Sequence, residues 1–337
     1  MSARSRDLIS ATLITAGIPC AAEIYMAAGP STAAFGSYWK DWFDNEKWDD
    51  STRGIQASYD KMSSGRNDVL LVAPGTHEVS TALAISKDYT HIIGCGPRSG
   101  AHGDSVVVRI HGAITPMFQV SATGCLFANF TVNHSNSTAS TAAFTVVQVT
   151  SGSAGLVMRD MYIRTPNDAS LAASTGWSPI VIEGGINYFE NCLFGGRAYA
   201  RTGGSEVAMF SLAKGNNSLR MKDCVTTMRS TGVNTRFFHV TYSPWGGSFI
   251  VAENCHFLNA STVAWYVAIA STDGACPHWT EEVMVYFDTN CCFAGVTDIC
   301  AAANESVTWF GRGALIDATG NASNAFTGLA SHPDHST

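Results

Sequence analysis

The chain has 337 residues, a formal net charge of −7, 14% charged residues and 46% hydrophobic ones. An acidic balance with no offsetting basic cluster argues against a nucleic-acid-binding surface, and no apolar run reaches the ~20 residues of a membrane-spanning helix. A charged fraction well below the usual quarter of a globular sequence points to many inward positions, with exposed loops that lean on Ser, Thr, Asn, Ala and Gly.

In chain order, residues 1–60 read as an N-terminal arm and capping segment. Arg4 and Arg6 precede an apolar run over residues 8–18 that has the outline of a signal peptide. Asp7 abuts the run, Ser and Thr interrupt it, and no convincing cleavage site follows, so a short helix packing on a partner is the reading taken. Residues 38–50 then hold three of the eight tryptophans. One role is an arm folded over an open end, covering edge strands that would otherwise pair with other chains. The other is an anchor, with Trp39, Trp42, Phe43 and Trp48 as interface hot spots on another protein. One segment can do both. Residues 54–62 read as a short capping helix.

From residue 61 to 325 a repeat sets the architecture. An apolar residue, a variable residue, Asn or Asp, a buried-type residue, another variable residue and an apolar residue recur six times. The Asn/Asp positions are Asn129, Asp160, Asn191, Asp223, Asn254 and Asn290, spaced 31, 31, 32, 31 and 36 apart. The flanking apolar residues lie three apart, which a straight strand places on opposite faces. Both point inward only if the chain bends between them, and Asn and Asp tolerate the left-handed angles of such a bend. A second strand precedes each corner, around residues 117–120, 144–149, 179–182, 209–212, 237–240 and 265–269. Three short strands per ~30-residue unit predict an all-β parallel β-helix. Residues 326–337 read as a C-terminal tail.

Three stacks follow from that register. The Asn/Asp positions form a corner ladder. The position before them alternates in charge through Arg159, Glu190, Lys222 and Glu253, which predicts pairing of neighbours. The inward stack reads Phe130, Met161, Cys192, Cys224, Cys255 and Cys291. This placement favours buried free thiols over a disulfide framework among the ten cysteines. It fits a reducing cytosol, and no Cys-x₂-Cys pair suggests zinc.

The stretch from Asn67 to His77, with Asp68, Pro74 and Gly75, followed by Ile85-Ser86-Lys87 and Ile93-Gly94, resembles the opening coils of the pectate-lyase-like superfamily. The resemblance implies a single-stranded right-handed parallel β-helix over about residues 54–320. It implies no single activity, because that superfamily hosts lyases, hydrolases, epimerases and non-catalytic proteins. Its lyases hold Ca²⁺ with clustered carboxylates and use an arginine base; no in-register cluster of Asp residues matches that pattern. Its hydrolases pair Asp residues on neighbouring coils, whereas Asp160 and Asp223 are two coils apart, roughly 10 Å, too far for either hydrolytic geometry. No catalytic residue, metal ligand or cofactor site is assigned.

The layout also looks like the β-helical structural proteins of tailed-phage particles. That resemblance implies a virion protein made in the host cytoplasm: a capsid decoration or cement protein, a homotrimer, anchored to the major capsid protein or another virion protein through its arm. Two other readings share the residues. A carbohydrate-active β-helix would need an acidic groove, best placed at Glu281, Glu282 and Asp288 near His278 and Trp279. A glycan-binding module would use Trp245, Trp265 and Trp279 as stacking platforms on a host surface glycan.

Overall fold

The computed structural model describes residues 23–27, 54–95, 106–110, 114–133, 145–164, 178–195, 207–213, 217–230, 235–241, 249–260, 265–271, 283–300, 307–316 and 322–329. These residues form a parallel β-solenoid. Each coil contributes one strand before the corner, one after it and one on the far side of the core.

The pre-corner strands stack from Asp68–Val72 through Thr90–Gly94, Cys125–Ala128, Leu156–Arg159, Ile186–Glu190, Ser218–Lys222 and Phe249–Glu253 to Val283–Ala294, all parallel. The post-corner strands run beside them, from Gly75–Val79 through Tyr162–Arg164 to His256–Asn259. The far-side sheet is eight-stranded and starts at Leu83–Ile85 and ends at Val296–Cys300. Its members at 118–120, 147–149, 180–182, 207–213, 235–241 and 265–271 lie on the second strands read from the sequence.

Alternation builds the core. On the far-side sheet Phe118, Val120, Ile180, Ile182, Phe210 and Leu212 point inward and are essentially unexposed. Phenylalanines continue from coil to coil: Phe194 meets Phe210 at 4.9 Å between ring centroids, Phe210 stacks on Phe238 at 5.3 Å, and Phe257 stacks on Phe293 at 4.6 Å. Such pairs add about 0.5–1.5 kcal/mol each beyond the area they bury.

The cap sits where the sequence places it. Helix α1 spans Ile55–Tyr59, with Gly54 as N-cap, and buries Ile55, Ser58 and Tyr59. Its C-terminal carbonyls are taken by one ammonium: Lys87 Nζ donates to the carbonyls of Tyr59, Asp60 and Met62. A cation over the last turn satisfies orphan carbonyls and complements the helix dipole. The Tyr59 hydroxyl meets Thr90 Oγ1 at 3.1 Å and accepts from the Lys87 amide at 2.8 Å.

Two features fall differently from the domain limits read in the sequence. The strand Ile24–Ala27 lies inside the segment assigned to the arm, yet pairs in parallel with Asp68–Val72 and adds a rung to the pre-corner stack. At the other end Val307–Ile316 continues that stack, and Ala322–Leu329 pairs with it antiparallel, crossing the limit set at residue 325. The anchor residues Trp39, Trp42, Phe43 and Trp48, together with Trp245, Trp279, Glu281 and Glu282, lie outside the described residues; of Trp265 only the backbone is described.

Candidate interaction surface

The corners come first, because they set the direction of every side chain around them. Asn129, Asp160, Asn191, Asp223 and Asn254 have φ of 61°, 53°, 49°, 53° and 50°. This is the left-handed region that Asn and Asp reach most readily among residues with a side chain. Each corner amide is used across coils: Asn129 N–H donates to the Arg159 carbonyl, Asp160 to Glu190, Asn191 to Lys222 and Asp223 to Glu253, at 2.9–3.1 Å. The side chains also pair along the stack. Asn191 Nδ2 donates to Asp160 Oδ1, and Asn254 Nδ2 donates to Asp223 Oδ1 at 2.6 Å. Asn129 Nδ2 donates to the Gly94 carbonyl at 2.9 Å. Gly94 is required there, since a Cβ at that position would lie 2.1 Å from the Asn129 carbonyl oxygen.

The thiols do more than fill space. Cys192, Cys224 and Cys255 donate to the carbonyls of Glu190, Lys222 and Glu253, two residues back, at 3.2, 3.3 and 3.2 Å. Those same carbonyls accept the corner amides of the preceding coil, so both lone pairs of each are occupied. Burial pushes the Cys224 thiol well up, and hydrogen bonding to Cys224 helps push Cys255 up to about 12. Cys224 and Cys255 are protonated, unreactive thiols.

The sixth corner is built differently. Val283–Ala294 is one continuous strand whose register shifts between Phe287 and Cys291, and Asn290 is absent from the left-handed residues. Between Phe287 and Cys291 this strand carries two residues more than the next one and one more than the preceding coil, accommodated as a bulge. Asp288 Oδ1 takes over the missing carbonyl's role, accepting from Asn254 N at 2.9 Å, Asn290 N at 3.1 Å and the Cys291 thiol at 3.2 Å. Asp288, counted in the sequence with an acidic groove, is thus a corner brace with one oxygen fully engaged.

The outward face of the pre-corner stack changes character along the solenoid. In the first coils Val69, Leu71, Ile93, Leu126 and Ala128 are buried, with at most 6% exposure, yet lie outside the central core that contains Leu70, Val72, Ile92 and Phe127. His91 shares that buried outer side, and burial lowers its imidazole pKa to about 4. Further along the same face is open: Ile186 is 72% exposed, Tyr286 46% and Phe249 43%.

Three rows run across the open part. The first aligns Ile186, Ser218 and Phe249; the second Val157, Tyr188, Arg220, Val251 and Tyr286; the third Arg159, Glu190, Lys222 and Glu253. Arg159 pairs with Glu190 at 2.8 Å, as the alternating row predicts. Glu253 pairs instead with Arg220, also at 2.8 Å, two residues before Lys222 on the same face. Sequence reasoning missed Arg220, Tyr188 and Ile186 because they lie upstream of the repeated phrase; outward alternation within each strand is the signal that finds them. Among the described residues no group of three or more His, Cys, Asp or Glu is placed to hold a metal ion, and no helix is long and apolar enough to cross a membrane.

The coiled parallel architecture is the all-β parallel β-helix that the repeat predicts. Solved structures similar to the chain include a pectin methylesterase in complex with a hexasaccharide (11% identity, TM-score 0.47, covering 91% of this chain and 87% of that one). The pectin methylesterase PemA from Erwinia chrysanthemi is alike at 11% identity and TM-score 0.45, over 93% and 87% of the two chains. A Geobacillus virus E2 protein, ORF18, is alike at 12% identity and TM-score 0.38, over 78% and 57%. No family model matches the chain, and no curated protein matches it.

Proposed function

We propose that this chain is a non-enzymatic virion structural protein, a capsid decoration or cement protein held to the particle through Trp39, Trp42, Phe43 and Trp48. What carries the reading is how the corner carboxylates are spent. Asp160, Asp223 and Asp288 accept ladder or backbone hydrogen bonds, while Glu190 and Glu253 are held in ion pairs with arginines. The same acids that could serve general acid–base chemistry are working parts of the solenoid wall. A rigid body with a side-chain ladder and an open face of mixed aromatic, aliphatic and charged residues suits adhesion and display.

The test is particle attachment. Replacing Trp39, Trp42, Phe43 and Trp48 together with Ala should abolish co-sedimentation with particles while the far-ultraviolet signature of the β-helix is kept. Attachment that survives, or release of reducing ends from a host surface glycan by the wild-type chain, overturns the reading.

A second reading, a glycan-engaging β-helix, is favoured by Tyr188, Phe249 and Tyr286 on the open face beside fixed Arg–Glu pairs. Partial burial pushes the Tyr188 phenol up, leaving it a neutral stacking and hydrogen-bonding group. Binding on a glycan array that is lost in Tyr286→Ala, with no cleavage, would support that reading.

A further inference from the structure

We propose that the open half of the pre-corner face pairs with the same face of a second copy of this chain, the two solenoids running antiparallel about a two-fold axis along the strand direction. The inference rests on reading the chain as an assembly protein, and names the contact that such a protein would make with itself.

The charge row carries it. Arg159, Glu190, Lys222 and Glu253 follow one another in register, one per coil, so their signs run plus, minus, plus, minus. A two-fold axis along the strands keeps each row facing itself and reverses the order of coils. With the axis between the coils of Glu190 and Lys222, Arg159 faces Glu253 of the other copy, and Glu190 faces Lys222 of the other copy. The same operation sets Tyr188 against Arg220 of the other copy, a cation–π geometry. An isologous contact of this kind closes after two subunits.

Arrangements that keep the coils level do the opposite. A two-fold axis along the solenoid sets Arg220 against its own copy, and like charges across an interface are costly. The size of the face sets the strength. Five coils at roughly 4.8 Å and five residues at roughly 3.3 Å give about 400 Å² per copy, about half of a standard interface side. The dimer is therefore reversible and concentration-dependent. Ile186 and Phe249, both exposed, supply the apolar rim.

Sedimentation velocity on the full chain, over a wide concentration series, tests this. The expected result is a monomer–dimer equilibrium that Lys222→Glu weakens by about tenfold or more through facing like charges. Adding Glu190→Lys to that variant should restore dimerisation, because the exchanged charges again face opposites across the axis even though Arg159 and residue 190 then repel within one chain. Circular dichroism confirms that each variant is folded. A chain that stays monomeric at every concentration, a trimer, or a dimer indifferent to Lys222→Glu overturns the proposal. Particle attachment through the N-terminal aromatics is measured separately, so either reading can fail alone.

Discussion

At the scale of single residues, polar atoms facing inward decide local stability. Thr226 lies in register between Phe194 and Phe257, is fully buried, and its Oγ1 has no hydrogen-bond partner. A buried hydroxyl left unmatched costs about 1–3 kcal/mol. Thr226→Val keeps the shape and removes the hydroxyl, so it should raise the urea midpoint, by about 1 kcal/mol in stability. Asp288 is the converse case. Asp288→Ala strands the amides of Asn254 and Asn290 and should destabilise by about 1–2 kcal/mol, whereas Asp288→Asn keeps an acceptor oxygen and should cost less. Equal midpoints for the two Asp288 variants would show that the carboxylate is no brace.

At the scale of elements, the corner stack and the cap hold the coils in register. Adding a methyl at Gly94 drives it into the backbone of the next corner, 2.1 Å from a carbonyl oxygen. Backbone cannot rotate out of the way as a side chain can. Gly94→Ala should therefore destabilise by about 3 kcal/mol or more, read by thermal unfolding. The inward thiols give a second test of the stack. Cys192, Cys224, Cys255 and Cys291 are free and buried, so iodoacetamide should leave them unlabelled in the native protein and label them on unfolding. A disulfide among them would leave a pair unlabelled under both conditions.

For the whole molecule, the first coils differ from the rest because both faces of their pre-corner strands are buried. That places His91 in dry surroundings, and His77 is the one buried residue of the post-corner strand Gly75–Val79. Burial lowers the pKa of His91 to about 4, and burial also lowers His77, which contacts the Ala73 carbonyl at 2.8 Å. An unfolded histidine takes up a proton near pH 6.5, while folded His91 resists until about 4. The neutral form thus contributes full stability above pH 6.5 and loses it as pH falls towards 4, on the order of 3 kcal/mol across that window. Carboxylates add their own losses below about pH 5. His91→Phe should flatten the slope between pH 6.5 and 5. An unchanged slope would assign the acid sensitivity elsewhere.

The parallel β-helix, its ~30-residue coils, the five left-handed corners and the inward thiols were all legible in the sequence. Each is set within a few residues: alternation fixes which face a side chain takes, and Asn or Asp at an apolar break fixes where the strand turns. What the sequence alone left open depends on neighbours a whole coil or more away. Ile24–Ala27 carries no local mark that assigns it to a rung beside Asp68–Val72. In the sequence Asn290 reads as a sixth corner like the other five, and only the register shift showed a bulge braced by Asp288. Lys222 and Arg220 both stand on Glu253's outward face, and which of them reaches its carboxylate is settled by side-chain reach in three dimensions. Whether an outward residue meets solvent, as Ile186 does, or is covered, as Leu71 is, depends on what packs over the sheet, because burial is a property of the assembled molecule.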